Sequence, residues 1–179
     1  MSSKVILDKK QFAITLDRLC FELIEKHGDF SNTALIGLQP RGIYLSRRIY
    51  GRIQEILKNN DILYGELDIA FYRDDFRRGN EQIIPSELKM DFSVEDKQIV
   101  LVDDVLYTGR TIRAAMDALN DFGRPAKVEL LVLIDRRFSR HLPIQPDYVG
   151  MAVDSRANEK VKVEWKETHK QDLVQMVTN

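Results

Sequence analysis

Apolar positions recur at helical spacing through Phe12, Leu16, Leu19, Leu23 and Ile24, with Asp8 ahead of them and His27-Gly28 behind. That pattern predicts a first helix with an aspartate cap and a glycine stop. TALIGLQ (33–39) is a short buried run and predicts a strand. Pro40-Arg41-Gly42 interrupts, and Ile43, Ile49, Ile53, Ile56 and Leu57 resume helical spacing over 43–57. Residues 62–73 alternate through Leu67, Ile69 and Phe71 and predict an extended segment, with Phe71 and Tyr72 as sheet residues. The pattern then fails from 74 to 96, a charged stretch of the kind that forms functional lids or mobile loops. QIVLVDDV (98–105) is apolar on both faces, as strands inside a parallel sheet are. A helix is predicted over 111–123, ending at Gly123 with Pro125 beyond, and a buried strand over 127–137. Residues 138–150 carry two prolines and predict a loop, and KVKVEW (160–165) alternates as an edge strand. Buried strands alternating with helices predict an α/β fold with a mainly parallel central sheet flanked by helices.

In such a sheet, ligands bind beyond the carboxyl ends of the strands. Asp103 and Asp104 fall there, at the end of the most apolar strand. Two adjacent carboxylates in that place are costly unless something satisfies them. Polyol hydroxyls can do so, and so can a hydrated Mg²⁺. Tyr107-Thr108-Gly109-Arg110-Thr111 follows directly before a helix, where backbone amides and the helix dipole favour an anion. Gly109 lets backbone approach the anion, and Thr108 and Thr111 offer hydroxyls. Alone, paired aspartates also suit a cap or a solvated turn, and TGRT suits an ordinary helix start. In this order they offer a diol site beside a phosphate site, which fits a ribose 5-phosphate. The segment is neither a P-loop nor a dinucleotide fingerprint, since GxxxxGK[ST] and GxGxxG are both absent.

The chain has 179 residues, enough for one domain spanning 1–179. A formal net charge of −1 gives no global support for a nucleic-acid binder. Cys20 is the single cysteine, which excludes an intrachain disulfide, and its place on the apolar helix face predicts a buried small hydrophobe. No apolar run approaches the roughly 20 residues of a membrane span, and the first residues lack a signal-peptide core, so a cytoplasmic protein is expected. His27, His141 and His169 have no triad or metal-site spacing and are expected at the surface or at helix ends.

VLVDDVLYTGRTIRAAMDAL resembles the phosphoribosyl-pyrophosphate signature of type I phosphoribosyltransferases. The Leu106-Tyr107 pair, GELDIAFYRDD, RGIYLS and DRRFSRHLPIQPDYVG are similar to the PyrR family, bacterial regulators of pyrimidine genes with uracil phosphoribosyltransferase activity. The resemblance implies formation of UMP and pyrophosphate from uracil and phosphoribosyl pyrophosphate, with Mg²⁺ as cofactor. By position, Asp103, Asp104 and Arg41 would be catalytic, with both aspartates reaching the metal indirectly through substrate. Gln39, Pro40, Arg41 and Gly42 would form the pyrophosphate loop, and Val105, Leu106, Tyr107, Thr108, Gly109, Arg110 and Thr111 the ribose-phosphate segment. A lid is expected within 74–96 and a hood over the base within 135–160. Arg73, with Arg77 and Arg78, suits either the lid's substrate face or a solvated loop. Arg136 and Arg137 suit either the base pocket or a surface between subunits. Homodimers or larger assemblies are implied, without a residue that counts subunits.

PyrR proteins also bind pyrimidine leader mRNA in a UMP-dependent way. By position Arg18, Arg140 and Arg156 would face RNA. Asp17, Phe21, Gln145 and Ala157 depart from the polar or basic residues expected there. A phosphate backbone repels an aspartate and gains nothing from an exposed phenylalanine. The residues therefore suit an enzyme whose RNA function is weakened. A non-catalytic nucleotide-sensing attenuator and a purine (hypoxanthine) phosphoribosyltransferase are the alternatives.

Overall fold

The computed structural model describes residues 3–72, 90–156 and 158–178. Five strands form one sheet in the order β3-β2-β4-β5-β6, all parallel: β2 Thr33–Leu38, β3 Leu63–Leu67, β4 Gln98–Leu106, β5 Lys127–Arg137 and β6 Tyr148–Asp154. Helices α1 (Lys9–His27) and α2 (Gly42–Leu57) cover one face and α3 (Arg110–Leu119) the other. Strand alternation divides the core accordingly. Val100 and Val102 of β4 pack with Leu19, Leu45 and Ile49. Ile99 and Leu101 pack with Ile112, Ala115 and Ala118.

A second, antiparallel sheet joins the two ends of the chain in the order β1-β8-β7, from Ser3–Leu7, Leu173–Thr178 and Glu159–Glu164. It shares the α1–α2 core through Leu7, Val163 and Val174, with Trp165 beside the one-turn helix α4 (Lys166–His169). The 160–165 run is an edge strand as predicted, but of this sheet.

The first helix starts as the sequence indicates. The Asp8 carboxylate accepts from Gln11 N at 2.8 Å while Gln11 Oε1 accepts from Asp8 N at 3.1 Å, a closed capping box. Three sequence expectations are corrected. The 62–73 segment stops being a strand at Leu67, because Asp68 accepts from Ala70 N at 2.9 Å and turns residues 70–72 into a 3₁₀ helix. Tyr72 is thus not a sheet residue; its hydroxyl bonds Asp121. The 111–123 helix is α only to Leu119, then tightens to 3₁₀ over Asn120–Phe122. Residues 148–150 are not loop but the start of β6, an edge strand of mixed polarity. Two terminal strands, β1 and β8, had no predicted counterpart.

Cys20 is fully buried as expected, and burial, aided by nearby Asp17, raises its thiol to about 12. His27 corrects the surface expectation, because its side chain is buried at the foot of the sheet. It sits at the end of α1, and its Nε2 lies 2.9 Å from Glu129 Oε2 while its Nδ1 lies 3.1 Å from Thr33 Oγ1. Tyr148 donates to the same carboxylate at 2.8 Å, and Lys26 and Lys127 reach Glu129 Oε1 at 2.6 and 2.5 Å. Burial lowers the His27 pKa against the pull of Glu129. A neutral ring with its proton on Nε2 satisfies every contact.

Candidate active site

The strand order reverses direction between β2 and β4: from β2 the chain winds to β3, and from β4 to β5 and β6. A crevice opens at such a switch point, beyond the carboxyl ends of both strands. The loop after β2 carries Gln39, Pro40 and Arg41; the end of β4 carries Asp103 and Asp104. Arg41 and Asp104 are 63 positions apart in sequence, yet they meet directly. Arg41 Nε donates to Asp104 Oδ2 at 2.7 Å, and its Nη2 donates to Val163 O of β7 at 2.8 Å. Gln39 N donates to Leu67 O at 3.0 Å and ties the same loop to β3.

The two aspartates lie within β4, not past its end, and are 7% and 5% exposed. Asp104 N donates to Asp103 Oδ1 at 2.9 Å. Burial, and then the neighbouring Asp104 carboxylate, raise the Asp103 pKa well above the ordinary range. Arg41 pairs with Asp104, and its charge only partly offsets the effect on Asp103. Gly42 explains how α2 starts so close to it: a Cβ there would lie 2.5 Å from Val102 O and 3.0 Å from Asp103 Cα.

After β4 the chain turns through Tyr107, Thr108 and Gly109 into α3. Gly109 is the N-cap at φ 92°, and the first helical bond runs from Arg113 N to Gly109 O at 3.0 Å. The amides of residues 110–112 precede that bond, and the start of a helix is the end that favours an anion. Thr108 Oγ1 lies 3.4 Å from Arg110 N, and Thr108 O accepts from His141 N and Leu142 N at 2.9 and 3.2 Å. The loop after β5 therefore clasps the loop after β4.

That clasp revises the role of Gly109. A Cβ would meet Ile144 Cδ1 at 3.2 Å and Leu142 Cβ at 3.5 Å, so a side chain crowds the 138–147 loop rather than an incoming anion. Gly109→Val must also place a β-branched residue at positive φ. The expected outcome is a loss of about 1–3 kcal/mol in stability and at least a tenfold weaker affinity for phosphoribosyl pyrophosphate. Denaturant melts and a substrate titration check it; unchanged affinity counts against an anion site at this loop.

Other expected site residues divide. Tyr107 is 44% exposed beside the aspartates, with the Arg136 guanidinium 4.0 Å from its ring centroid. The Leu106 side chain is buried in the α3 core. Val105 packs against the opposite core. Arg110 is exposed and Thr111 half-buried on the first turn of α3. Arg137 pairs with Asp154 at 2.7 Å, is half-exposed, and lines a cavity with Phe138, Arg140 and His141. Arg73, Arg77, Arg78 and most of the 74–96 segment lie outside the described residues. The 135–160 span comprises the end of β5, the 138–147 loop, β6 and the start of β7.

Two of the three residues expected to face RNA, Arg18 and Arg140, are engaged within the chain. Arg18 donates to Val149 O at 3.0 Å and Gly150 O at 2.6 Å and pairs with Glu22. Arg140 donates to Tyr107 O at 2.5 Å and pairs with Asp135. Asp17 is met by Arg52 at 2.8 Å, while Phe21 and Gln145 are exposed. Arg156 is exposed, and Ala157 is outside the described residues. Val163, Ser155 and Glu159 escaped sequence reasoning, because they act through a backbone oxygen or hold another residue.

The phosphoribosyl transferase domain family matches residues 2–168. The bifunctional protein PyrR of Bacillus subtilis (strain 168) is 42% identical, over 98% of this chain and 97% of that protein. The chain belongs to the PyrR family. Other PyrR relatives agree: that of Elusimicrobium minutum (strain Pei191) is 44% identical over 97% of this chain and 96% of its own length, and that of Desulfosudis oleivorans 46% over 94% and 93%. PyrR proteins share the type I phosphoribosyltransferase fold. The hypoxanthine phosphoribosyltransferase of Trypanosoma cruzi superposes with a TM-score of 0.72 at 15% identity, covering 98% of this chain and 97% of that one. A hypoxanthine phosphoribosyltransferase from Staphylococcus aureus gives 0.70 at 18% identity, covering 98% and 92%. Among the described residues of this PyrR-family chain, no helix is long and apolar enough to cross a membrane.

Proposed function

We propose that this protein is a uracil phosphoribosyltransferase of the PyrR type, making UMP and pyrophosphate. The observation that carries the reading is the meeting of Arg41 with Asp104 at the sheet's switch point, beside the amino end of α3. In the reaction, uracil N1 bonds to the anomeric carbon as that carbon's bond to the pyrophosphate oxygen breaks. Pyrophosphate leaves with the electron pair, and the N1 proton is released to solvent.

Asp103 and Asp104 hold the ribose hydroxyls, and positive charge developing on the sugar ring is favoured beside two carboxylates. The first turn of α3 takes the 5-phosphate. Arg41 exchanges Asp104 for the departing pyrophosphate, and a fixed donor aimed at developing charge is usually the largest catalytic contribution. The adjacent, buried carboxylates of Asp103 and Asp104 are hard oxygen donors of the kind Mg²⁺ takes. Asp103 and Asp104 would hold the metal indirectly, through substrate oxygens and water, which Mg²⁺ readily keeps as ligands. Bound Mg²⁺ supplies charge neutralisation on the diphosphate.

The test is UMP formation from uracil and phosphoribosyl pyrophosphate with Mg²⁺, with hypoxanthine run in parallel. Turnover with uracil and none with hypoxanthine is expected. Turnover with hypoxanthine alone overturns the reading, as does nucleotide binding without turnover.

Relatives described as bifunctional bring in the family's regulatory role. Arg18 and Arg140 here spend their donors on carbonyls and carboxylates of the same chain, which favours weakened RNA binding. A gel shift with the organism's own pyrimidine leader RNA is expected to show weak binding that UMP does not enhance; a tight, UMP-enhanced shift refutes this. Assembly as a homodimer or larger is part of the same reading.

A further inference from the structure

Both ends of the chain meet in the sheet β1-β8-β7, and that sheet docks on the start of α2. The contacts fall on one stripe of the helix. Tyr44 and Arg48 stand three and seven positions after Arg41, the spacing that puts side chains on a single helical face. Arg41 Nη2 donates to Val163 O of β7 at 2.8 Å. The Tyr44 ring stacks on Trp165, with centroids 5.8 Å apart and 30° between the planes. The Arg48 guanidinium lies 5.2 Å from the centre of the same indole, and it donates to Glu167 at 2.9 and 2.6 Å and to Asp172 at 2.7 Å. Trp165 is 1% exposed and meets Phe12 edge-on at 5.3 Å. Its Nε1 has no acceptor among the described residues, so packing alone holds the ring.

Arg41 brings this stripe into the chemistry. It is held at two points, Asp104 through Nε and Val163 O through Nη2, while its side chain stays 49% exposed. An exposed arginine ordinarily gives up rotamer freedom when a ligand fixes it, and a side chain fixed beforehand avoids that cost. Asp104 cannot provide the fixing throughout, because Arg41 leaves it for the departing diphosphate. Val163 O can. A diphosphate carries acceptors, so it competes for Arg41 donors but not for the Val163 carbonyl. The place of β7 therefore sets where the guanidinium meets the leaving group. β7 is an edge strand with β8 as its one neighbour, so its place depends on how the sheet is seated on α2. Tyr44, Arg48 and Trp165 provide that seat.

We propose that Tyr44, Arg48 and Trp165 are positioning residues for the leaving group. They seat the terminal sheet so that Val163 O holds Arg41 as a pivot while its Nε passes from Asp104 to the diphosphate. The proposal rests on the phosphoribosyl-transfer reading and adds to it a determinant of diphosphate affinity outside the crevice. These residues act on substrate through Arg41, so a ligand without a diphosphate is insensitive to them.

Calorimetric titrations with phosphoribosyl pyrophosphate and Mg²⁺, and with UMP, separate a ligand that carries a diphosphate from one that does not. Arg48→Gln removes the hold on Glu167 and Asp172, and Tyr44→Leu removes the stack on Trp165. Each is expected to weaken phosphoribosyl pyrophosphate about fivefold, the size of one net hydrogen bond, while UMP changes less than about twofold. Tyr44→Phe keeps the ring and is expected to match wild type. In an Arg41→Ala background neither substitution is expected to weaken phosphoribosyl pyrophosphate further, because residues that act through one group do not add. Equal weakening of both ligands overturns the proposal, as does full additivity with Arg41→Ala or unchanged affinity in both variants. Hydrogen exchange tests the pivot without ligand. Arg41→Ala is expected to speed exchange in 159–165 by at least about threefold and to leave α3 unchanged. Unchanged exchange in 159–165 overturns the pivot. A wild-type protein that neither binds phosphoribosyl pyrophosphate nor turns over a base refutes the proposed function, and the exchange measurement still decides the pivot.

Discussion

Asp104→Asn is expected to lower kcat/KM for UMP formation by about 100-fold, about 2.7 kcal/mol of transition-state stabilisation, while the melting temperature rises. The two effects share a cause. Asp103 and Asp104 are both buried in β4, and burial with the neighbouring charge raises the Asp103 pKa. Without substrate, the Asp104 carboxylate pairs with Arg41 but repels the buried Asp103 carboxylate beside it. Asparagine keeps an oxygen for Arg41 Nε and removes the charge. A gain of about 1 kcal/mol would raise the melting temperature by about 2–4 °C in a chain of this length. With substrate, the same carboxylate is needed for the sugar and the metal. Steady-state kinetics and thermal melts on one preparation check both halves. Wild-type turnover refutes the catalytic role, and a lower melting temperature refutes the account of the repulsion. Strain of this kind at a site, relieved by an inactivating change, is a common stability–activity trade-off.

The largest expected change in stability lies at the opposite end of the sheet. Glu129→Ala is expected to cost about 3–5 kcal/mol, because it removes the single acceptor on which the buried His27 and Tyr148 converge. Lys26 and Lys127 can turn to water, since their side chains are 44% and 52% exposed, so most of the loss falls on the buried pair. A fall on the order of 10 °C in melting temperature follows. Activity of the folded fraction at room temperature is expected to stay within about twofold, because the network joins the beginnings of β2, β5 and β6 and the catalytic groups lie at their ends. A melting temperature within about 2 °C of wild type would show that the network adds nothing.

The same network gives a pH dependence. Burial would raise Glu129, but bonds from Lys127, Lys26 and Tyr148 outweigh it and hold the carboxyl at about 2. Its contribution is present above the ordinary glutamate range and is lost as pH falls through that range toward 2. His27 is held below its ordinary value, so the unfolded chain takes up a proton that the fold resists. Its contribution is lost as pH falls below about 6.5. Asp103 has the opposite sign, being stabilised by protonation. The stability difference between wild type and His27→Gln isolates the histidine. It is expected to shrink between pH 7 and 5, and a difference independent of pH refutes the assignment.

His27 also marks a limit of reading in one dimension. At the end of an amphipathic helix, a histidine is expected to interact with the helix dipole. What turns it inward is Glu129, which is 102 residues away and sits in a strand whose pattern shows only that one polar residue interrupts it. Arg41 is similar. The interruption by Pro40-Arg41-Gly42 was legible, but its bonds to Asp104 and Val163 depend on β2 and β4 being neighbours and on β7 folding over them.

The sequence by itself determined the elements buried on both sides and the chemistry carried by one contiguous segment. The middles of β4 and β5, Ile99 to Val102 and Leu130 to Ile134, are unbroken apolar runs because parallel strands inside a sheet touch helices on both faces, and that demand is written residue by residue. The Asp103 to Thr111 segment was equally legible, since strand, carboxylates, glycine turn and helix start follow one another without a break. Only the tertiary structure decided the edges: β1 and β8 pair across nearly the whole length of the chain, β6 has a partner on one side only, and all three carry mixed polarity. It alone decided that Gly109 yields to Ile144, that Leu106 is core, and that Arg136 lies behind Tyr107. Each depends on which surfaces face each other after folding, and local periodicity carries no information about that.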